Sequence, residues 1–105
     1  MALYELRTYT LYVGKMKDAI DIYTTLGWPA IQKYEDKLVG YFTGDVGALN
    51  QIVHLWKFDD DMDRRRVWEK IYADEDFLKF AAAFRPLIMS QENKFLLASP
   101  WGPHP

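Results

Sequence analysis

The stretch LNQIVHLWKF, residues 49–58, decides the fold. Ile52, Val53, Leu55, Trp56 and Phe58 crowd into ten positions and read as a strand that should be buried, yet His54 stands at its centre. A buried imidazole needs a hydrogen-bond partner or a chemical task, because an unpaired polar ring inside a protein costs free energy. Alternation along the strand puts Val53 and Leu55 on one side and Ile52, His54, Trp56 and Phe58 on the other. The purely aliphatic side is expected to meet the helices. The His54 side is then expected to face outward, where a second copy of the same sheet would cover it.

Working outward, LVGYFTG (38–44) suits a second strand, and the glycines and aspartate of GDVG (44–47) turn it into a hairpin with the first stretch. LYELRTYTL (3–11) alternates, with Tyr4, Leu6, Thr8 and Thr10 on one face and Leu3, Glu5, Arg7, Tyr9 and Leu11 on the other. Met16, Ala19, Ile20 and Tyr23 recur at helical spacing, and this helix is expected to stop at Gly27, before Pro29. Beyond the hairpin, Asp59, Asp60 and Asp61 supply capping oxygens to a helix whose stripe is Val67, Trp68, Ile71 and Tyr72. Asp74 starts the next, which carries Phe77, Phe80, Ala81 and Phe84 on one face and is closed by Pro86. A last strand over about Gln91–Ala98 precedes the stiff tail SPWGPHP, whose Trp101 is expected to plug against the body or a partner chain.

The order β-α-β-β-α-β folds most simply as a ferredoxin-like α+β domain, a four-stranded antiparallel sheet with both helices on one face. One such domain accounts for residues 1–105. Half of the residues are apolar and 16% are aromatic, more greasy surface than one small core hides, so self-association is expected. Two sheets facing each other would close into a dimeric α/β barrel with an aromatic-lined interior.

The charge balance narrows the partners. With 13 basic and 15 acidic residues the net charge is -2, which offers no field for nucleic acid or for an anionic membrane. Cysteine is absent, so disulfides, thiolate nucleophiles and sulfur-based zinc sites are excluded. No apolar run is long enough for a membrane-spanning helix, and a strand that begins at Leu3 leaves no room for a leader, so a cytoplasmic protein is expected.

Glu5 and Arg7 occupy alternate positions of the first strand and leave the same face, which by parity also carries Tyr9. If that is the inward face, they and His54 would place a carboxylate, a permanent cation and a titratable ring in one low-dielectric space, as a catalytic set or as an ion pair that fixes dimer register. Tyr9, Ile52, Trp56 and Phe58 are the candidate ligand-binding walls, with Asn50, Gln91 and Asn93 as a polar rim; such amides also commonly satisfy turn backbone. His54 and His104 do not form a metal-ligand pair, and the glycines form neither a phosphate loop nor a dinucleotide fingerprint, so no cofactor is expected. The run Arg64, Arg65, Arg66 reads as the solvated face of its helix.

Three segments, YELRTYTL (4–11), GALNQIVHLW (47–56) and FRPLIMSQENKFLLASPW (84–101), together resemble the NIPSNAP family. The matching positions are Glu5, Leu6, Arg7, Tyr9, Leu49, Asn50, Gln51, His54, Trp56 and Ser90 through Asn93, while Ala48 stands where the family commonly has proline. The resemblance implies the dimeric α/β-barrel superfamily, whose members include cofactor-free oxygenases, isomerases and heme-handling proteins. It does not imply one activity. The functions expected are therefore a homodimer holding a small apolar or aromatic ligand, a cofactor-free enzyme with His54 as base, or a heme-handling protein with His54 as axial ligand. In its length and start the chain resembles a bacterial single-domain member.

Overall fold

A computed structural model describes residues 2–105. Strand β1 (Leu3–Leu11) leads into helix α1 (Met16–Ile22), and β2 (Leu38–Thr43) and β3 (Gln51–Phe58) form the hairpin. Helices α3 (Asp61–Ala73) and α4 (Glu75–Phe84) follow, and β4 (Ile88–Leu97) closes the domain. The sheet runs in the order β2-β3-β1-β4 with every neighbour antiparallel, the ferredoxin-like arrangement.

The first helix does not stop at Gly27. It passes through a π turn (Tyr23–Gly27) into a short helix, α2 (Trp28–Ile31), then a 3-10 stretch (Gln32–Lys37). Pro29 sits in the first turn of α2, where a missing N–H costs nothing, and the wider π turn absorbs the change of register. Gly27 itself is set by packing: a Cβ there would lie 2.7 Å from Cε1 of Phe80 and 2.8 Å from Cδ1 of Tyr23. Further on, Asp60 accepts from the Asp63 N–H, and Asp74 accepts from those of Asp76 and Phe77, so each caps its helix as its position in the sequence anticipates.

Parity holds, but the faces are exchanged. β1 pairs with β3 so that Glu5 stands opposite Trp56, Arg7 opposite His54 and Tyr9 opposite Ile52. This shared face lies beneath the helices: Ile52, His54, Trp56 and Phe58 are 3%, 2%, 0% and 1% exposed and pack with Ile71, Phe77, Phe80 and Phe84. Val53 and Leu55 are only half-buried and look outward with Leu6 and Thr8. The physical reason is volume. The layer between sheet and helices is about 10 Å thick, and large aromatic rings fill it where Val and Leu would leave gaps. Each large side chain buried there stabilises the fold by about 1.5–3 kcal/mol. Self-association therefore cannot be argued from the need to cover the His54 face, which the chain covers by itself.

The tail also departs from expectation. Tyr4 donates its hydroxyl to the carbonyl of Pro105 at 2.7 Å, so Pro105 returns to the first strand, but Trp101 is 75% exposed and is not a plug against the described body of its own chain.

Candidate functional site

The polar groups of the buried face come from the two central strands, whose register sets Arg7 beside His54. Glu5 is held from two sides: its Oε1 accepts the indole N–H of Trp68 at 2.8 Å, and its Oε2 accepts an amide hydrogen of Asn93 at 3.0 Å. The Arg7 Nε lies 4.0 Å from that Oε2, and the guanidinium carbon lies 4.0 Å from the centre of the Trp68 ring. Burial pulls the Arg7 pKa down, but Tyr9, Tyr72 and Glu5 together outweigh it and hold the side chain above its ordinary value. A permanent cation thus sits inside the core.

His54 is fixed more tightly. Its Nδ1 accepts the indole N–H of Trp56 at 2.6 Å, and the Tyr41 ring stacks on it at 4.4 Å with planes 6° apart. Burial, and then the charge of Arg7, drive its pKa well below the usual histidine value, so the ring is neutral near pH 7. A neutral imidazole carries one proton, and the indole donor occupies Nδ1, which assigns that proton to Nε2. The Nε2 of His54 and the Nε of Arg7 are buried and have no hydrogen-bond partner among the described residues. Two buried side-chain donors are thus left over among the described residues. Burial, ahead of any charge, also raises the pKa of Tyr9, Tyr23 and Tyr41, so these phenols stay protonated.

Arg7 and His54 line a cavity of about 80 Å³ between sheet and helices, with Tyr9, Tyr41, Trp68 and Tyr72 among its walls. Of the residues singled out in the sequence, Arg7, Tyr9, His54 and Gln91 reach this cavity. Glu5 and Asn93 stand behind Arg7 as its support, and Trp56 stands behind His54. Phe58 is wholly buried and stacks on Trp56. Asn50 takes a left-handed conformation (φ 59°) at the entrance to β3, and its carbonyl accepts the Leu11 N–H, so it serves the turn. Ile52 faces a separate, open groove. Sequence reasoning overlooked Tyr41, Trp68 and Tyr72 as walls, although Trp68 and Tyr72 sit in the stripe assigned to the core and Tyr41 follows from the parity of β2. In the basic run, Arg64 and Arg65 both pair with Asp61, and Arg64 also covers the ring of Phe95.

Comparison with known proteins places this geometry. Residues 4–103 match the NIPSNAP family. Human Protein NipSnap homolog 3A is 27% identical over 100 residues, a span that covers 93% of this chain and 40% of that protein. The chain thus spans about two fifths of the length of the curated relatives it matches. A crystal structure of a NIPSNAP family protein with unknown function from Agrobacterium tumefaciens superposes with a TM-score of 0.89 at 32% identity, covering 97% of this chain and 92% of that one. An antibiotic biosynthesis monooxygenase superposes with a TM-score of 0.66 at 14% identity over 93% and 99% of the two chains, a likeness of fold alone.

Proposed function

The chain belongs to the NIPSNAP family, and on that premise we propose that it binds a small molecule carrying an acidic or enolic oxygen on an apolar or aromatic body. The observation that carries this reading is a pair of unpartnered buried donors, Arg7 Nε and His54 Nε2, in two residues whose side chains line one cavity. An unsatisfied buried donor costs about 1–3 kcal/mol, and more when charged, so a bound oxygen acceptor would recover that energy at both atoms. Aromatic walls would hold the body of the ligand by burial and stacking. We propose also that two copies associate through the outer sheet face, around Leu6, Val53 and Leu55.

A titration with acetate and benzoate, followed through the Arg7 Nε–H and the His54 ring in NMR spectra, tests the binding. Both signals should move together in the wild type. The response should vanish in Arg7→Met and weaken in His54→Gln, whose amide retains a group that can accept from Trp56. If neither signal moves at tens of millimolar carboxylate in a folded protein, the reading fails.

The same two donors favour a second reading, in which they stabilise the oxyanion of an activated phenol or enol during a cofactor-free reaction. His54 serves there as a hydrogen-bond donor. As a general base it would need a free Nε2 lone pair, and the shifted proton would then confront the Trp56 N–H at Nδ1. Heme does not fit: Tyr41 covers the ring of His54, and a cavity of about 80 Å³ has no room for a porphyrin beside Nε2.

A further inference from the structure

The small cavity has a much larger neighbour. A groove of about 720 Å³ runs along the edge strand β2 and the helical segment α1–α2, with Ile20, Trp28, Leu38, Val39, Phe42 and Ile52 among its walls. It is the size of a ligand site in its own right, and four of those apolar side chains are exposed: Ile20 46%, Trp28 38%, Val39 36% and Phe42 59%. Two residues, Tyr23 and Tyr41, line both spaces. Their rings meet edge to face at 5.4 Å, so this pair is the partition between groove and cavity.

Charge distinguishes the two ends. The cavity is lined by Arg7, Arg85 and His54, with the one carboxylate of Glu5 behind Arg7, whereas the charged side chain among the described residues lining the groove is the carboxylate of Glu35. An anionic group is repelled by the groove and attracted by the cavity, while an apolar chain gains from the groove and would not fit in about 80 Å³. We infer that the ligand is an elongated amphiphile of the medium-chain carboxylic acid kind, its acidic head held by Arg7 and His54 and its apolar tail passing the Tyr23–Tyr41 pair into the β2 groove. This rests on the binding role proposed above and specifies the class of ligand. The tyrosines have to part for the tail to pass. They can do so more readily than a core pair, because one side of each already borders the open groove.

Isothermal titration with acetate, hexanoate and decanoate, and with decanol as the uncharged counterpart, tests the inference. A groove that buries about half of each methylene gives roughly a twofold gain in affinity per added carbon. Decanoate should also exceed decanol by at least tenfold, as expected for about 1.5–3 kcal/mol from a charge-assisted hydrogen bond. Ile20→Asp and Val39→Asp alter exposed groove residues without touching the core. They should flatten the chain-length dependence and leave acetate binding as it is. Equal affinity for acetate and decanoate would overturn the amphiphile while leaving the cavity as a site for small acids. Equal binding of decanoate and decanol, unchanged in Arg7→Met, would overturn it as well, since the head would then play no part. If no carboxylate binds at all, the underlying reading falls with it.

Discussion

His54 illustrates how much a single neighbour decides. From the strand alone it is an ionisable ring among apolar residues; the Trp56 indole, two positions along on the same face, makes its Nδ1 an acceptor and its Nε2 a donor. Because burial holds its folded-state pKa well below 6.5, the folded protein resists a proton that the unfolded chain accepts. The unfolded state therefore binds more protons in the interval between the depressed pKa and about 6.5, and stability rises with pH across it. On acidification below about 6.5, urea denaturation should show stability falling by up to about 1.4 kcal/mol per pH unit, and His54→Gln should remove that slope. A wild-type stability that is flat from pH 6.5 to pH 5, with His54→Gln identical, would show that the ring is not buried in its neutral form. Arg7 is legible from sequence in its pairing with Glu5, but not in its stacking on Trp68, since a contact between residues that far apart depends on where α3 lands.

Elements were legible where one signal dominates. The alternation in LYELRTYTL and the aspartates before α3 and α4 each give the observed element, and β1 spans the expected residues. The first helix is different because Gly and Pro carry two meanings. As a stop signal Gly27 would end the helix; as a packing residue it lets the π turn and α4 approach, and the chain uses it in the second way. Replacement by alanine sets two effects against each other. Helix propensity favours alanine by about 1 kcal/mol, but forcing a methyl group against the buried rings of Phe80 and Tyr23 costs about 1–3 kcal/mol. Packing should win, so thermal denaturation should give Gly27→Ala a lower Tm than the wild type. An equal or higher Tm would mean that the Phe80 ring yields without loss. The early start of β4, at Ile88 instead of Gln91, has a similar cause: the strand begins as soon as the 3-10 turn around Pro86 ends.

For the whole molecule, the exchange of faces changes the argument about assembly. The outer face presents Leu6, Val53 and Leu55 half-buried beside the exposed Phe42 and Leu96, interspersed with Thr8, Lys57, Glu92 and Lys94. This is a mixed surface. It suits a sheet-to-sheet contact with a polar border better than it suits an emergency cover for bare core. Sedimentation at micromolar concentration should find a dimer, and Leu55→Glu, which sets a charge at the centre of the outer face, should give a folded monomer. A compact monomer in the wild type would remove the dimer from the account. No helix among the described residues is long and apolar enough to cross a membrane.

The sequence by itself determined the element order, the antiparallel hairpin, the shared face of Glu5, Arg7 and Tyr9, and the family. These follow from local periodicity and short motifs, which the backbone imposes within a few residues. The tertiary structure decided which face the helices cover, which tautomer His54 adopts, and that Tyr23 and Tyr41 stand between a small charged cavity and a long apolar groove. Those outcomes depend on the volume that must fill the space between sheet and helices and on partners brought together from distant segments. A period-two pattern distinguishes two faces, but only packing says which of them is inside.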